Sequence, residues 1–301
     1  MTEKELIKKI KELKTEKNAV ILVHNYQKPE ICKIADFIGD SLDLCKKAMN
    51  TDAKIILFCG VKFMAESAAI LNPNKKVIVP FLDAGCAMAD MIKVSDIKKL
   101  KQEHPNAAVM CYVNSNAEIK AVSDVCCTSA NALKVAKNLQ EKEIIFVPDK
   151  NLALYVQKMI PEKKIITFEG FCPVHHYLNS DTIKTAQSLF PNAKIIAHPE
   201  CQSDVLAMSD MISNTTGMID KAKESKANEF FIVTECGMIE RLKQEIPNKK
   251  FYGVCNLCFD MKKTTLESVY NCLLSEKPVV KIEPNIAKNA KHAFDRMFEL
   301  M

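Results

Sequence analysis

Cys86, Cys172 and Cys258 stand 86 residues apart in turn, in "DAGCAMAD", "EGFCPVHH" and "CNLCFDMKKTTLE". Each lies in a polar loop after an apolar run. Thiolates are ligands for soft metals and iron–sulfur clusters. Three at equivalent positions of a threefold arrangement match a [4Fe–4S] cube seen down its body diagonal: three irons would take cysteine and the fourth would face a cavity. Four-cysteine ligation suits electron transfer, whereas an open iron suits Lewis-acid work on a bound oxygen. Two other readings compete. Free cysteine is often just a small buried hydrophobe, but three in register in Gly- or Pro-containing loops are poorly explained that way. Zinc would need a second Cys-x-x-Cys to complete Cys255-x-x-Cys258, and the chain has none. The spacing of 86 selects Cys258 and leaves Cys255 as an extra thiol.

A second set of residues repeats in the same register. "KNAVILVH" (17–24) is echoed by "PNAAVMCY" (105–112) and "PNAKIIAH" (191–198), so His24, Tyr112 and His198 correspond, at separations of 88 and 86. Two residues further on stand Tyr26, Asn114 and Glu200. In extended geometry each i, i+2 pair points the same way. His, Tyr and Glu are the usual proton-moving side chains. Seventeen residues after each ring comes a hydroxyl, Ser41, Ser129 or Thr215, with Asp36, Asp124 or Asp210 five residues before it. The hydroxyls read as helix N-caps. Three helix N-termini aimed at one axis would also bind anions, so the implied ligand is small and carries carboxylates, phosphate or both.

The elements that must position these groups follow from the apolar pattern. In the first unit, strands are expected at 19–23, 54–58 and 76–80, alternating with helices at 41–50, 61–71 and 95–103, the last opened by Ser95-Asp96. Thr264-Thr265-Leu266-Glu267 reads as a capping box. Short apolar runs alternating with helical spacing imply parallel β-α-β sheets covered on both faces. The expected fold class is α/β: three pseudo-symmetric three-layer α/β/α domains with parallel sheets around a pseudo-threefold axis. The divisions are an N-terminal helix at 1–17, repeats at 18–104, 105–190 and 191–276, and a tail at 277–301 packing on the other units. In such sheets ligands gather beyond the carboxyl ends of the strands, where His24, Tyr112 and His198 fall.

Bulk properties narrow the function. The 301 residues are 48% hydrophobic, enough for real cores, and the net charge of +5 comes from dispersed lysines. Basic and aromatic residues do not interleave, which argues against nucleic acid as a partner. No run approaches the ~18 apolar residues of a membrane span. "MTEKELIKKIKELKTEK" has no secretory h-region; Leu6, Ile7, Ile10 and Leu13 make it an amphipathic helix. Thirteen cysteines without an export signal fit a reducing, cytoplasmic setting.

Taken together, "VHNYQ", "GDSLDL", "AGCAMAD", "CYVNS", "FCPVHH", "HPEC", "NTTGM" and "CFDMKKTTLE" make the chain resemble the quinolinate synthases, iron–sulfur enzymes of NAD biosynthesis, over nearly its whole length. The resemblance implies a transferase that condenses iminosuccinate (iminoaspartate) with dihydroxyacetone phosphate to quinolinate, phosphate and water. It implies that Cys86, Cys172 and Cys258 hold a [4Fe–4S] cluster. His24, Ser41, Tyr112, Val113, Asn114, Ser129, His198, Pro199, Glu200 and Thr215 would hold substrate, with Tyr26, His175, Thr216 and Gly217 lining the same cavity. Glu200, His198 and Tyr26 would carry the proton transfers. An aspartate oxidase or dehydrogenase would supply the iminosuccinate. Position 216 is Thr where many members have Ser, which keeps the hydroxyl. Two rivals share parts of this reading: a [4Fe–4S] dehydratase or lyase acting on another small acid, and a non-enzymatic iron–sulfur redox sensor. The second leaves the matched His/Tyr/Glu pairs without a role.

Overall fold

The computed structural model describes residues 1–301. Its twelve strands are β1 (Ala19–His24), β2 (Phe37–Gly39), β3 (Ile55–Cys59), β4 (Lys76–Ile78), β5 (Ala108–Tyr112), β6 (Val125–Cys127), β7 (Glu143–Val147), β8 (Lys164–Thr167), β9 (Lys194–Ala197), β10 (Met211–Ile212), β11 (Glu229–Val233) and β12 (Lys250–Gly253). They form three four-stranded sheets of one topology: β2-β1-β3-β4, β6-β5-β7-β8 and β10-β9-β11-β12. Every pairing between these strands is parallel. The α/β class and the threefold repetition are those expected from the sequence.

The central strands are apolar on both faces because helices cover both. The alternation of side chains sends Val20, Leu22, Ile56 and Phe58 into one core with Leu44, Phe63 and Met64. Their neighbours Ile21, Val23, Ile55 and Leu57 pack into another with Leu6, Ile10, Leu266 and Val269. The first of these cores also takes Ile196, Phe230 and Ile232 of the third sheet, so two sheets share one hydrophobic interior. Leu6 and Ile10 come from the N-terminal helix Glu3–Glu16, whose apolar stripe was expected. The C-terminal helix Pro284–Glu299 buries Ala290, Ala293, Phe294 and Met297 against the second sheet's core. Phe294 and Met297 each contribute about 1.5–3 kcal/mol of burial there.

The expected pattern of three strands per unit omits β2, β6 and β10. These edge strands are "FIG", "VCC" and "MI", too short to show alternation. They also explain the repeated aspartates. Asp36 accepts the N–H of Ile21 at 2.8 Å, Asp124 that of Val109 at 2.7 Å and Asp210 that of Ile195 at 2.8 Å. Each carboxylate thus ties the entry of an edge strand to the start of β1, β5 or β9, which is a structural duty.

Several helix starts also differ from expectation. The first unit's last helix is Val94–Glu103; Asp96 accepts the Lys93 N–H at 2.8 Å, and Ser95 lies inside the first turn. Helix Leu266–Ser275 is capped reciprocally by Thr265 and Ser268, one residue later than the expected Thr264–Glu267 box. Helix Ser41–Met49 is capped by Asp40, which accepts from Leu42 and Asp43. Asn214 precedes helix Thr215–Glu224 without a side-chain cap. Ser129 lies three residues ahead of helix Ala132–Asn138, in a turn held by Thr128 and Asn131. Ser41, Ser129 and Thr215 are therefore not the caps. Asp and Asn at 40 and 214 take that position, which leaves Ser41 and Thr215 as the first helical residues.

Candidate active site

The carboxyl ends of β1, β5 and β9 open onto one cavity. His24, Tyr112 and His198 all line it, at 5%, 3% and 4% exposure. Tyr26, Ser41, Cys86, Asn114, Ser129, Cys172, His175, Glu200, Thr215 and Cys258 line the same space. The three units contribute equivalent residues to it, as the repeat requires. Counted as room for the centre of a water molecule, the cavity is ≈ 80 Å³, several times the ~10–15 Å³ one water needs. It suits a small polar ligand. Val113, Pro199, Thr216 and Gly217 are near but not in the wall. Thr216 donates to Asp43 at 2.7 Å. Gly217 backs onto Ser213, whose Oγ would lie 2.3 Å from an added Cβ.

The polar groups form a connected chain. The Tyr26 hydroxyl lies 2.7 Å from Thr234 Oγ1, which is 2.8 Å from His175 Nε2. His175 Nδ1 is 2.7 Å from Glu200 Oε2, close enough for ion pairing though off the angle of a formed hydrogen bond. Tyr112 donates to Glu200 Oε1 at 2.5 Å. His175 stacks on His198 at 4.5 Å between centroids. His24 and His198 are fixed alike: each Nδ1 accepts the backbone N–H two residues on, from Tyr26 at 3.2 Å and Glu200 at 3.4 Å. That leaves Nε2 as the protonated ring nitrogen of a neutral imidazole.

Burial sets the charges. It lowers the pKa of His24 and His198 to about 3 in each case, against the opposing pull of Glu200. Burial alone would push Glu200 up; the close imidazoles of His175 and His198, with the hydrogen bond from Tyr112, overcome it and hold the carboxyl at about 2. Tyr26 and Tyr112 are raised by burial and by the Glu200 charge. At neutral pH this part of the wall therefore presents the Glu200 carboxylate, two neutral imidazoles at positions 24 and 198, and two phenol donors. Asp40, also in the wall, is raised to about 6 by burial and by Asp43, although Asn214 and two backbone N–H groups support its charge.

The three cysteines meet electrostatically as well as in space. Burial pushes Cys86 up to about 12, with Cys258 adding to the rise. Burial also raises Cys172, which feels both Cys86 and Cys258, and Cys258 itself. Without a cationic group among them they are thiols; a metal core would deprotonate them. This donor set, one cysteine per unit on a shared cavity, fits an iron–sulfur cluster with three protein ligands. Cys255 is exposed and outside the wall. Cys172, His175 and Glu200 also bring ligand atoms within 4.8 Å of one another.

The comparisons with known proteins decide the family. The family model described as quinolinate synthetase A protein matches residues 8–299. The chain belongs to the quinolinate synthase family. It is 50% identical to the quinolinate synthase of Alkaliphilus metalliredigens over 100% of both chains. It is also 50% identical to that of Methanosarcina barkeri, over 99% of this chain and 98% of the relative. The quinolinate synthase of Caldicellulosiruptor bescii is 47% identical over 97% of each. Against this family background, the polar residues the sequence reading missed are Asp40 and Thr128 in the wall and Thr234 behind it, between Tyr26 and His175. Thr234 follows β11 directly, at the position of Gly60 after β3 and Pro148 after β7. A lone hydroxyl where its counterparts have no polar side chain was the available signal. No helix is long and apolar enough to cross a membrane.

Proposed function

We propose that the chain condenses iminosuccinate with dihydroxyacetone phosphate to quinolinate, phosphate and water, as a transferase of NAD biosynthesis working in the cytoplasm. The observation that carries this reading is the convergence of Cys86, Cys172 and Cys258 with His24, Tyr112, His198 and Glu200 on one small buried cavity. Cys86, Cys172 and Cys258 would hold a [4Fe–4S] cluster, which when bound supplies an open iron as a Lewis acid for a substrate oxygen or nitrogen.

The chain's own residues then do three things. They bind charge: Ser41, Ser129 and Thr215 offer hydroxyls, and helix Thr215–Glu224 has no side-chain cap on its first N–H groups, so carboxylates and phosphate have donors. They orient: Asn114 Oδ1 is buried without a partner, an acceptor aimed at a substrate N–H or O–H. Val113, Pro199, Thr216 and Gly217 support these groups from behind the wall. They move protons: the Tyr26–Thr234–His175–Glu200 chain links a phenol to a carboxylate through atoms 2.7–2.8 Å apart. His175 joins the two ends of this chain, between Thr234 and Glu200, and His198 donates from Nε2. Each such group is typically worth ~10²–10⁴-fold in rate. Iminosuccinate would come from an aspartate oxidase or dehydrogenase.

A single ion on Cys172, His175 and Glu200 is the second reading, prompted by their proximity. It is disfavoured because His175 already faces Glu200 with one nitrogen and Thr234 with the other. Anaerobic purification separates the two: the cluster reading predicts a brown protein with about four irons per chain, and a colourless one-metal protein would favour the single ion.

A further inference from the structure

The loops that carry Cys172 and Cys258 are each tied to a fully buried carboxylate. Asp149 stands two residues beyond β7 and Glu235 two beyond β11, and both have 0% exposure. Asp149 Oδ2 accepts the Cys172 N–H at 3.3 Å, and Glu235 Oε1 accepts the Cys258 N–H at 3.3 Å. The second oxygen of each holds its own turn: Asp149 Oδ1 takes the Leu152 N–H at 2.7 Å and Glu235 Oε2 the Gly237 N–H at 2.7 Å. Asp149 caps helix Lys150–Met159 with the Leu152 contact alone, so its bond to the cysteine is additional; Glu235 lies one residue before Cys236, the N-cap of helix Gly237–Glu245. Neither carboxylate lies in the cavity wall.

The two cysteines have closely similar backbones: φ −81°, ψ 116° for Cys172 and φ −85°, ψ 99° for Cys258. The loops are anchored alike two residues earlier, by Lys150 N–H on Gly170 O at 2.8 Å and Cys236 N–H on Asn256 O at 3.0 Å. The first unit keeps that anchor, Lys62 N–H on Ala84 O at 2.7 Å, but has Val61 at the carboxylate's position. There the N–H beside Cys86, that of Gly85, goes to Asp260 Oδ1 at 3.2 Å. Each cysteine loop thus places one N–H, at the cysteine or next to it, on a carboxylate.

We infer that Asp149 and Glu235 are positioning residues that fix Cys172 and Cys258 for cluster ligation. The inference rests on the reading of these cysteines as cluster ligands. Holding the cysteine N–H fixes the peptide plane and so the direction in which the Cα–Cβ bond presents sulfur. Burying a carboxylate is costly unless its oxygens are satisfied: loop N–H groups satisfy those of Asp149, and Glu235 has Lys262 Nζ at 3.0 Å besides its two N–H donors.

The test compares Asp149→Asn, Glu235→Gln and the control Asp124→Asn, all as full chains reconstituted anaerobically with iron and sulfide, with folding followed by circular dichroism. Asp124 makes the same kind of bond, to the Val109 N–H, away from any cysteine loop. Asp149→Asn and Glu235→Gln should release iron to a ferrous chelator roughly 10–100-fold faster than the unaltered chain. The electron paramagnetic resonance signal of the reduced cluster should also change as the cysteine sulfur is displaced, and Asp124→Asn should change neither. If Glu235→Gln and Asp149→Asn release iron at the rate of an unaltered chain that holds it well, the inference is overturned and the cluster reading stands. The same holds if Asp124→Asn speeds release equally. An unaltered chain that takes up no iron overturns both.

Discussion

Replacing Glu200 by Gln removes the only carboxylate among three histidines and two tyrosines while keeping its shape. The structure gives the size of the effect. Glu200 is 2% exposed, yet its neighbours bring it from 4.5 to about 2. At 1.36 kcal/mol per tenfold, that preference for the charged form is worth about 3 kcal/mol. A carboxyl with a depressed folded-state pKa contributes stability that is present above its unfolded value and is lost as pH falls through the folded one. The unaltered chain should therefore exceed Glu200→Gln by about 3 kcal/mol at pH 7. The margin should narrow below pH 4.5 and be largely gone as pH falls through the folded-state value. Urea unfolding of both chains, apo and anaerobic, between pH 3 and 7 measures it. Turnover should fall ~10²–10⁴-fold, because the proton path loses its carboxylate end. A stability difference that stays flat across that pH range would refute the electrostatic argument, and normal turnover would remove Glu200 from the proton path.

Three further outcomes are expected. Cys86→Ser, Cys172→Ser and Cys258→Ser should each fail to retain iron after anaerobic reconstitution, whereas Cys255→Ser should retain it; iron analysis decides. Thr234→Val removes the hydroxyl that bridges Tyr26 and His175, leaving only their long direct contact of 3.4 Å, and a lost hydrogen bond of about 1–3 kcal/mol should lower kcat ~10–100-fold with little change in KM, measured in steady-state assays. His24, held neutral with a pKa near 3 against 6.5 when unfolded, favours the fold fully above pH 6.5 and progressively less as pH falls. His24→Asn should flatten the pH dependence of stability between those values by about 1.4 kcal/mol per pH unit.

The threefold repeat was legible because it acts at long spacing: equal separations of cysteine, ring and hydroxyl survive even where side chains differ. Burial of β1, β5 and β9 was equally clear, since a strand covered on both faces shows as an unbroken apolar run. What stayed hidden was local. Strands of two or three residues at a sheet edge carry no periodicity, so β2, β6 and β10 were invisible and the role of Asp36, Asp124 and Asp210 with them. The caps fell one residue away because Asp40 and Asn214 compete with the adjoining Ser41 and Thr215 for the same position, and all four are good cap residues. Thr234, Asp149 and Glu235 were missed for a different reason. They sit where the repeat breaks, with Gly60, Pro148 and Val61 as counterparts, and a search for likeness between units passes over such positions.

The most direct measurement is the anaerobic assay of the iron-loaded chain with iminosuccinate, generated in place, and dihydroxyacetone phosphate. The account predicts quinolinate and inorganic phosphate in equal amounts, with no product from the iron-free chain. Neither product forming from a chain that retains its cluster would contradict it.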